Sequence, residues 1–262
     1  MPSLTWVMQT TPAEPLESRP WRKIAWASEI NLFAAVRAGQ ALDGQHVMTS
    51  PNGQTWTMRT SPNEAISNDW TCLHWSSFFG LFVAGGGGLN TSTPFMTSPD
   101  GTTWTLQSAT VGASHTFAGV ASSPTLGRII GIRGDGVAGG AGKYTSTDAI
   151  SWTVNFLAPD DQWSSVLWAP ELALFVAVAR GNGSLGGGTR VMTSATGLNA
   201  SWVSRSTPAD NSWEDIAWSP KLGLLAAVAN TGTNNRVMTS PNGITWTIRT
   251  TPSPDRNWRG IA

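Results

Sequence analysis

The chain has 262 residues, enough for one large all-β domain or two ordinary ones, and its 16 basic and 16 acidic side chains leave no formal net charge. With only 12 % charged residues it offers no basic stripe to neutralise phosphates and no basic amphipathic helix for a membrane surface, so nucleic acid and membrane insertion are not expected. Cys72 is the single cysteine, which excludes an intramolecular disulfide and leaves stability to the packed core.

Met1-Pro2-Ser3-Leu4 begins neither the charged nor the apolar region of an export signal, and no apolar run reaches the roughly 20 residues of a membrane span. Beyond this start the chain is one unit copied along its length. A tryptophan recurs at Trp6, Trp56, Trp104, Trp152, Trp202 and Trp246, a period of about 44 to 50 residues, the length of a four-stranded propeller blade.

The first copy of the outermost strand is Trp-Val-Met-Gln-Thr-Thr-Pro at 6–12, and it stands without the rest of its unit. A complete unit comes next. Trp21 and Trp26 mark a short aromatic strand A, and Leu-Phe-Ala-Ala-Val at 32–36 is a continuous apolar run of strand length, hence a strand B buried on both faces. A polar loop at 38–45 leads to strand C, then Ser-Pro-Asn-Gly turns the chain into strand D at 56–62. Proline presets φ and glycine accepts positive φ, so this is turn chemistry. The unit recurs with Trp70 and Trp75, with Phe117 and Ser122, with Trp163 and Trp168, and with Trp213 and Trp218. The third copy is degenerate, because Thr147-Asp148-Ala149 also replaces its turn. At the end, Asn-Trp-Arg-Gly-Ile-Ala at 257–262 matches strand A alone.

A four-stranded sheet with two apolar faces cannot bury itself, and radial stacking around a channel does so with few exposed edges. The expected fold is an all-β propeller, one domain over 1–262, with five complete repeats and a split sixth position shared by the N-terminal outer strand and the C-terminal inner strand. The alternative is a five-bladed ring with the spare strands over its seam. Unpaired backbone edges at an incomplete blade recruit partners, so self-association through the split blade is a further expectation.

The phrase Ser-Pro-Asn/Asp-Gly-x-Thr-Trp at 50–56, 98–104 and 240–246 resembles the Asp-box of sialidase-type propellers, and the whole unit is similar to the repeats of photosystem II assembly-factor-type propellers. Asn52 and Asn242 depart from the acidic residue of the box, and the turn is one residue shorter. The resemblance implies a structural turn between the outer two strands, remote from any active site.

Chemistry is harder to find. A sialidase needs an arginine cluster and a tyrosine nucleophile with a glutamate partner, yet Tyr144 is the only tyrosine and falls on strand C, away from the channel. Glycosidases use two carboxylates roughly 5 to 9.5 Å apart. The neighbours Asp160 and Asp161, and Glu214 and Asp215, sit where successive side chains point to opposite faces. His46, His74 and His115 lack ligand spacing, so neither a metal nor a cofactor is expected. Residues 136–143 have the wrong glycine spacing for a phosphate loop, and Arg133-Gly134-Asp135 is a short tripeptide that a glycine-rich loop produces by chance.

The B-to-C loops hold a pattern. Strand alternation places all of them on one face with the D-to-A loops, and polar loops on a rigid scaffold are where binding resides. Asp43, Asn90, Arg133, Asp135, Arg180, Asn182, Asn234 and Asn235 are the candidate binding residues there, for sugar hydroxyls or a protein surface. The expectation is a non-enzymatic binding propeller, a lectin or virion component; the alternatives are an assembly protein docked at the incomplete blade and a divergent Asp-box hydrolase.

Overall fold

The structure is a computed structural model that describes residues 20–39, 44–62, 69–87, 93–109, 116–134, 142–155, 161–181, 187–251 and 256–262. The first blade is β1 (Trp21–Ala27), β2 (Leu32–Arg37), β3 (Val47–Ser50) and β4 (Thr57–Arg59); the second is β5 (Asp69–Ser76), β6 (Leu81–Gly87), β7 (Phe95–Ser98) and β8 (Thr105–Gln107). The third is β9 (Phe117–Ser123), β10 (Arg128–Arg133), β11 (Lys143–Ser146) and β12 (Thr153–Asn155). The fourth is β13 (Trp163–Ala169), β14 (Leu174–Ala179), β15 (Val191–Ser194) and β16 (Val203–Arg205), and the fifth is β17 (Trp213–Ser219), β18 (Leu224–Ala229), β19 (Val237–Ser240) and β20 (Thr247–Arg249). Each blade is a four-stranded antiparallel sheet paired in chain order, so the chain is a β-propeller with five complete repeats.

The recurrent phrase builds the turn between the third and fourth strands of each blade. In the first, Ser50 Oγ accepts the Gly53 N–H at 2.8 Å, and Asn52 Oδ1 accepts the N–H groups of Gln54 and Thr55, both at 2.9 Å. Gly53 has φ 71°, and its carbonyl accepts the Trp56 indole N–H at 3.2 Å. Asp100 and Asn242 repeat the arrangement. In the degenerate turn Ala149 takes φ 60°, and the Trp152 indole N–H has no partner among the described residues.

Among the described residues, four apolar clusters lie between successive blades. In each, the last tryptophan of a blade, Trp104, Trp152, Trp202 or Trp246, is packed with strand residues of the blade before it. Trp56 is only partly buried, and Trp6 lies outside the described residues. The second-to-third interface is repacked around Phe95, whose ring stacks on Trp152 at 3.8 Å between centroids. Gly85 and Gly131 make room for it: a Cβ on Gly131 would come within 2.9 Å of the Phe95 ring.

The seam between the fifth and first blades is different. Neighbouring inner strands pack in the order β1, β5, β9, β13, β17. The Ile24 side chain of β1 is 53 % exposed, whereas its counterparts Leu73, Val120, Val166 and Ile216 are 6, 6, 8 and 5 % exposed. Residues 256–262 reach this gap: Ile261 N–H donates to Asp215 Oδ2 at 3.3 Å, and Arg259 pairs with Glu214 at 3.7 Å. They form no strand, so the expected sixth inner strand is instead a segment held by these polar contacts. The expected outer strand at 6–12 lies outside the described residues.

Candidate functional site

Each inner strand carries one β-bulge. Register skips Arg22 in β1, Thr71 in β5, Ala118 in β9, Ser164 in β13 and Glu214 in β17. A bulge leaves its extra residue out of the ladder and re-aims the side chain. All five residues line one cavity of about 410 Å³, joined by Arg259 from the C-terminal segment. In sequence each of the six follows the first aromatic residue of a strand A copy, so the repeat delivers one side chain per position to the channel.

The cavity lies at the loop-rich end. Gly134 and Arg180, which follow β10 and β14, are on its wall, as is Thr116 before β9. The loops of this face are tied together, because the N–H groups of Ser61, Thr207 and Thr251 donate to the carbonyls of Gly44, Gly188 and Asn234. The expected co-location of B-to-C and D-to-A loops therefore holds for the described loops.

One wall is neutral and holds the ring together. Thr71 Oγ1 donates to the Phe117 carbonyl, and Ser164 Oγ donates to the Trp213 carbonyl at 2.6 Å, so each hydroxyl bonds the next inner strand. The opposite wall is charged. Glu214, with 2 % of its side chain exposed, accepts from Arg180 Nε at 2.9 Å and from Asn230 Nδ2. Asp215 turns between the blades, where it accepts from Ser165 Oγ at 2.6 Å and from Lys23 Nζ at 3.3 Å. The two acids thus have separate surroundings, Glu214 on the channel wall and Asp215 between the blades. Among the described residues no group of three or more histidine, cysteine, aspartate or glutamate side chains is placed to hold a metal ion.

Of the residues singled out from sequence, Arg180 belongs to this cavity. Arg133 is 4 % exposed at the end of β10, its side chain lying over Gly142, so it is a buried residue and not part of an open loop surface. Asn234 adopts φ 55°, and Asn235 accepts from Asn211 Nδ2 at 2.9 and 3.1 Å through its carbonyl and side chain; neither lines the cavity. Asp43, Asn90, Asp135 and Asn182 lie outside the described residues. Arg22, Lys23, Glu214 and Arg259 are site residues that the loop pattern does not reveal. The signal for Arg22, Glu214 and Arg259 is in the aligned strand A copies, where the residue after the first aromatic changes chemistry from copy to copy.

No protein-family model and no curated protein matches the chain, whereas its fold recurs among solved structures. Virginiamycin B lyase from Staphylococcus aureus is similar with a TM-score of 0.67 at 11 % identity, over 89 % of this chain and 71 % of that one. YCF48 from Cyanidioschyzon merolae is similar with a TM-score of 0.53 at 12 % identity, over 88 % and 72 %. A chain of the nidogen/laminin complex is similar with a TM-score of 0.60 at 11 % identity, over 84 % and 75 %. Neighbours of this kind include enzymes and protein-binding propellers alike, and at such identities the likeness shows a shared β-propeller fold.

Proposed function

We propose that this propeller is a non-enzymatic binding module that takes its ligand, a glycan or a protein segment, at the loop-rich end of the central channel. The observation that carries the reading is the cavity of about 410 Å³ lined by one residue from each of the six inner positions. Its size is within the range of small-molecule sites, and its polar lining suits hydroxyl and amide partners. Binding without turnover is supported by the use of the acids. Glu214 is the one carboxylate on the cavity wall among the described residues, and it is committed to Arg180 and Asn230. Paired acid and base work needs a second carboxylate beside it.

The test is a glycan array, with immobilised peptides beside it, probed with the wild type and with Ala118→Trp. That substitution fills the cavity from a position now occupied by a methyl group. A signal that the variant loses supports the reading, whereas capture undiminished by it overturns the channel as the site. Turnover of a fluorogenic glycoside panel would move the protein to the hydrolase reading.

The seam favours a second reading, an assembly protein that docks another chain at the incomplete blade. Its support is the apolar face left by Ile24 and Trp26, 53 and 41 % exposed. A strictly monomeric sedimentation profile at high concentration counts against the self-association form.

A further inference from the structure

We propose that the ligand of the channel carries an oxyanion, a carboxylate or a phosphate, seated on the seam side of the cavity against Arg22, Lys23 and Arg259; this rests on the reading of the channel as a ligand site. The charge balance argues for it first. Four cations line the cavity, Arg22, Lys23, Arg180 and Arg259, and they meet two carboxylates, those of Glu214 and Asp215. Arg180 and Arg259 share Glu214, and Lys23 is held by Asp215. Arg22 has no partner among the described residues. Two positive charges are therefore in excess at one spot of a chain whose formal net charge is zero. Like charges gathered in a concave space repel one another and raise the local concentration of counter-ions, so an anion there relieves a cost that the fold otherwise carries.

The distribution is also one-sided. Arg22 projects from the bulge of β1, and Arg259 comes from the segment that fills the sixth inner position, so both flank the seam. Across from them the equivalent positions are Thr71, Ala118 and Ser164, which are small and uncharged. Trp21 adds apolar wall. A ligand with an anionic end and a neutral or apolar body fits this polarity in one orientation. Guanidinium groups suit the anionic end, because their planar donors match the geometry of carboxylate and phosphate oxygens. Arg259 is 69 % exposed and its contact with Glu214 is long, so it is free to turn toward such a ligand.

The test is calorimetric titration of the whole chain at low ionic strength with inorganic phosphate, with citrate as the carboxylate probe, and with glucose as the neutral control. Saturable binding of phosphate or citrate is expected, weakened at least tenfold in Arg22→Gln and in Arg259→Gln, less in Arg22→Lys, and unchanged in Lys221→Gln, which alters an exposed lysine outside the cavity. The stronger of the two probes identifies the anion, and added salt weakens both. Thermal melts of each variant establish that it is folded. The proposal is overturned if neither anion binds saturably, or if Lys221→Gln weakens binding as much as Arg22→Gln does. An array ligand that Ala118→Trp abolishes, but that Arg22→Gln leaves intact and phosphate does not displace, removes the oxyanion seat and keeps the channel site.

Discussion

At the scale of single residues, the turn between the outer strands shows how one side chain substitutes for backbone partners. Asp100 Oδ1 accepts the N–H groups of Thr102 and Thr103, both at 2.7 Å, and Asn52 and Asn242 perform the same task without a charge. Partial burial works to raise the Asp100 carboxyl, but the backbone donors outweigh it and hold the group well below its ordinary value of 3.8. A folded-state value below the unfolded one means that the carboxylate contributes fully to stability above the ordinary value, and that this contribution declines below it and is lost as pH falls through the depressed folded-state value. Asp100→Asn should keep the turn, as its counterparts do. The gap in urea midpoint between wild type and variant should shrink from pH 7 to pH 3. Asp100→Ala, which leaves both N–H groups to solvent, should cost about 1 kcal/mol at pH 7. An equal gap at both pH values would mean that the charge is irrelevant. The acidic position of the box is legible from sequence because its hydrogen bonds are local, within three residues.

At the scale of elements, the five repeats, their strand order and their turns could be read directly, because aromatic pairs, apolar runs and Ser-Pro-Asn-Gly turns each have a short-range signature. The site could not. A bulge displaces a residue from strict alternation without requiring any chemical type, so Arg22, Thr71, Ala118, Ser164 and Glu214 share a place and no property. Arg133 shows the converse: a charged residue at the end of an apolar run reads as the start of a loop, yet it is buried beside Gly142. Local repacking is another long-range matter. Phe95 stands where the first, fourth and fifth blades have Val47, Val191 and Val237, and it is admitted by Gly85 and Gly131. Phe95→Val alone should cost about 2 to 4 kcal/mol through the cavity it leaves. Gly131→Ala alone should cost about 1 to 3 kcal/mol, since its new methyl meets both Phe95 and Phe117. The double variant restores the pattern of the other blades at the fourth position of the second strand, where Ala35, Ala84, Ala177 and Ala227 stand. Its loss, measured by chemical denaturation, should fall short of the sum by at least about 1 kcal/mol. Simple additivity would show that the glycine and the ring do not compensate each other.

At the scale of the whole molecule, four interfaces between blades repeat one packing scheme, and among the described residues no such apolar cluster lies at the fifth junction. The tryptophans report this. Trp70, Trp163 and Trp213 at the starts of inner strands are 1, 2 and 0 % exposed, and Trp21 on the first blade is only partly buried, as is Trp56 at its outer turn. Polar links span the gap at its inner end, where Lys23 and the Ile261 N–H both meet Asp215. Apolar surface that is removed from water at four junctions is thus partly wet at the fifth, and burial is what these side chains contribute to stability. A pair of equivalent substitutions measures the difference. Ile216→Ala empties a site that is 5 % exposed and should cost about 2 to 4 kcal/mol. Ile24→Ala, at the same place in the repeat but 53 % exposed, should cost less than about 1 kcal/mol. Urea denaturation of the isolated chain reads both values under one condition. Equal losses would mean that the first blade is covered in solution, by another copy if the loss at Ile24 grows with protein concentration and by the chain itself if it does not.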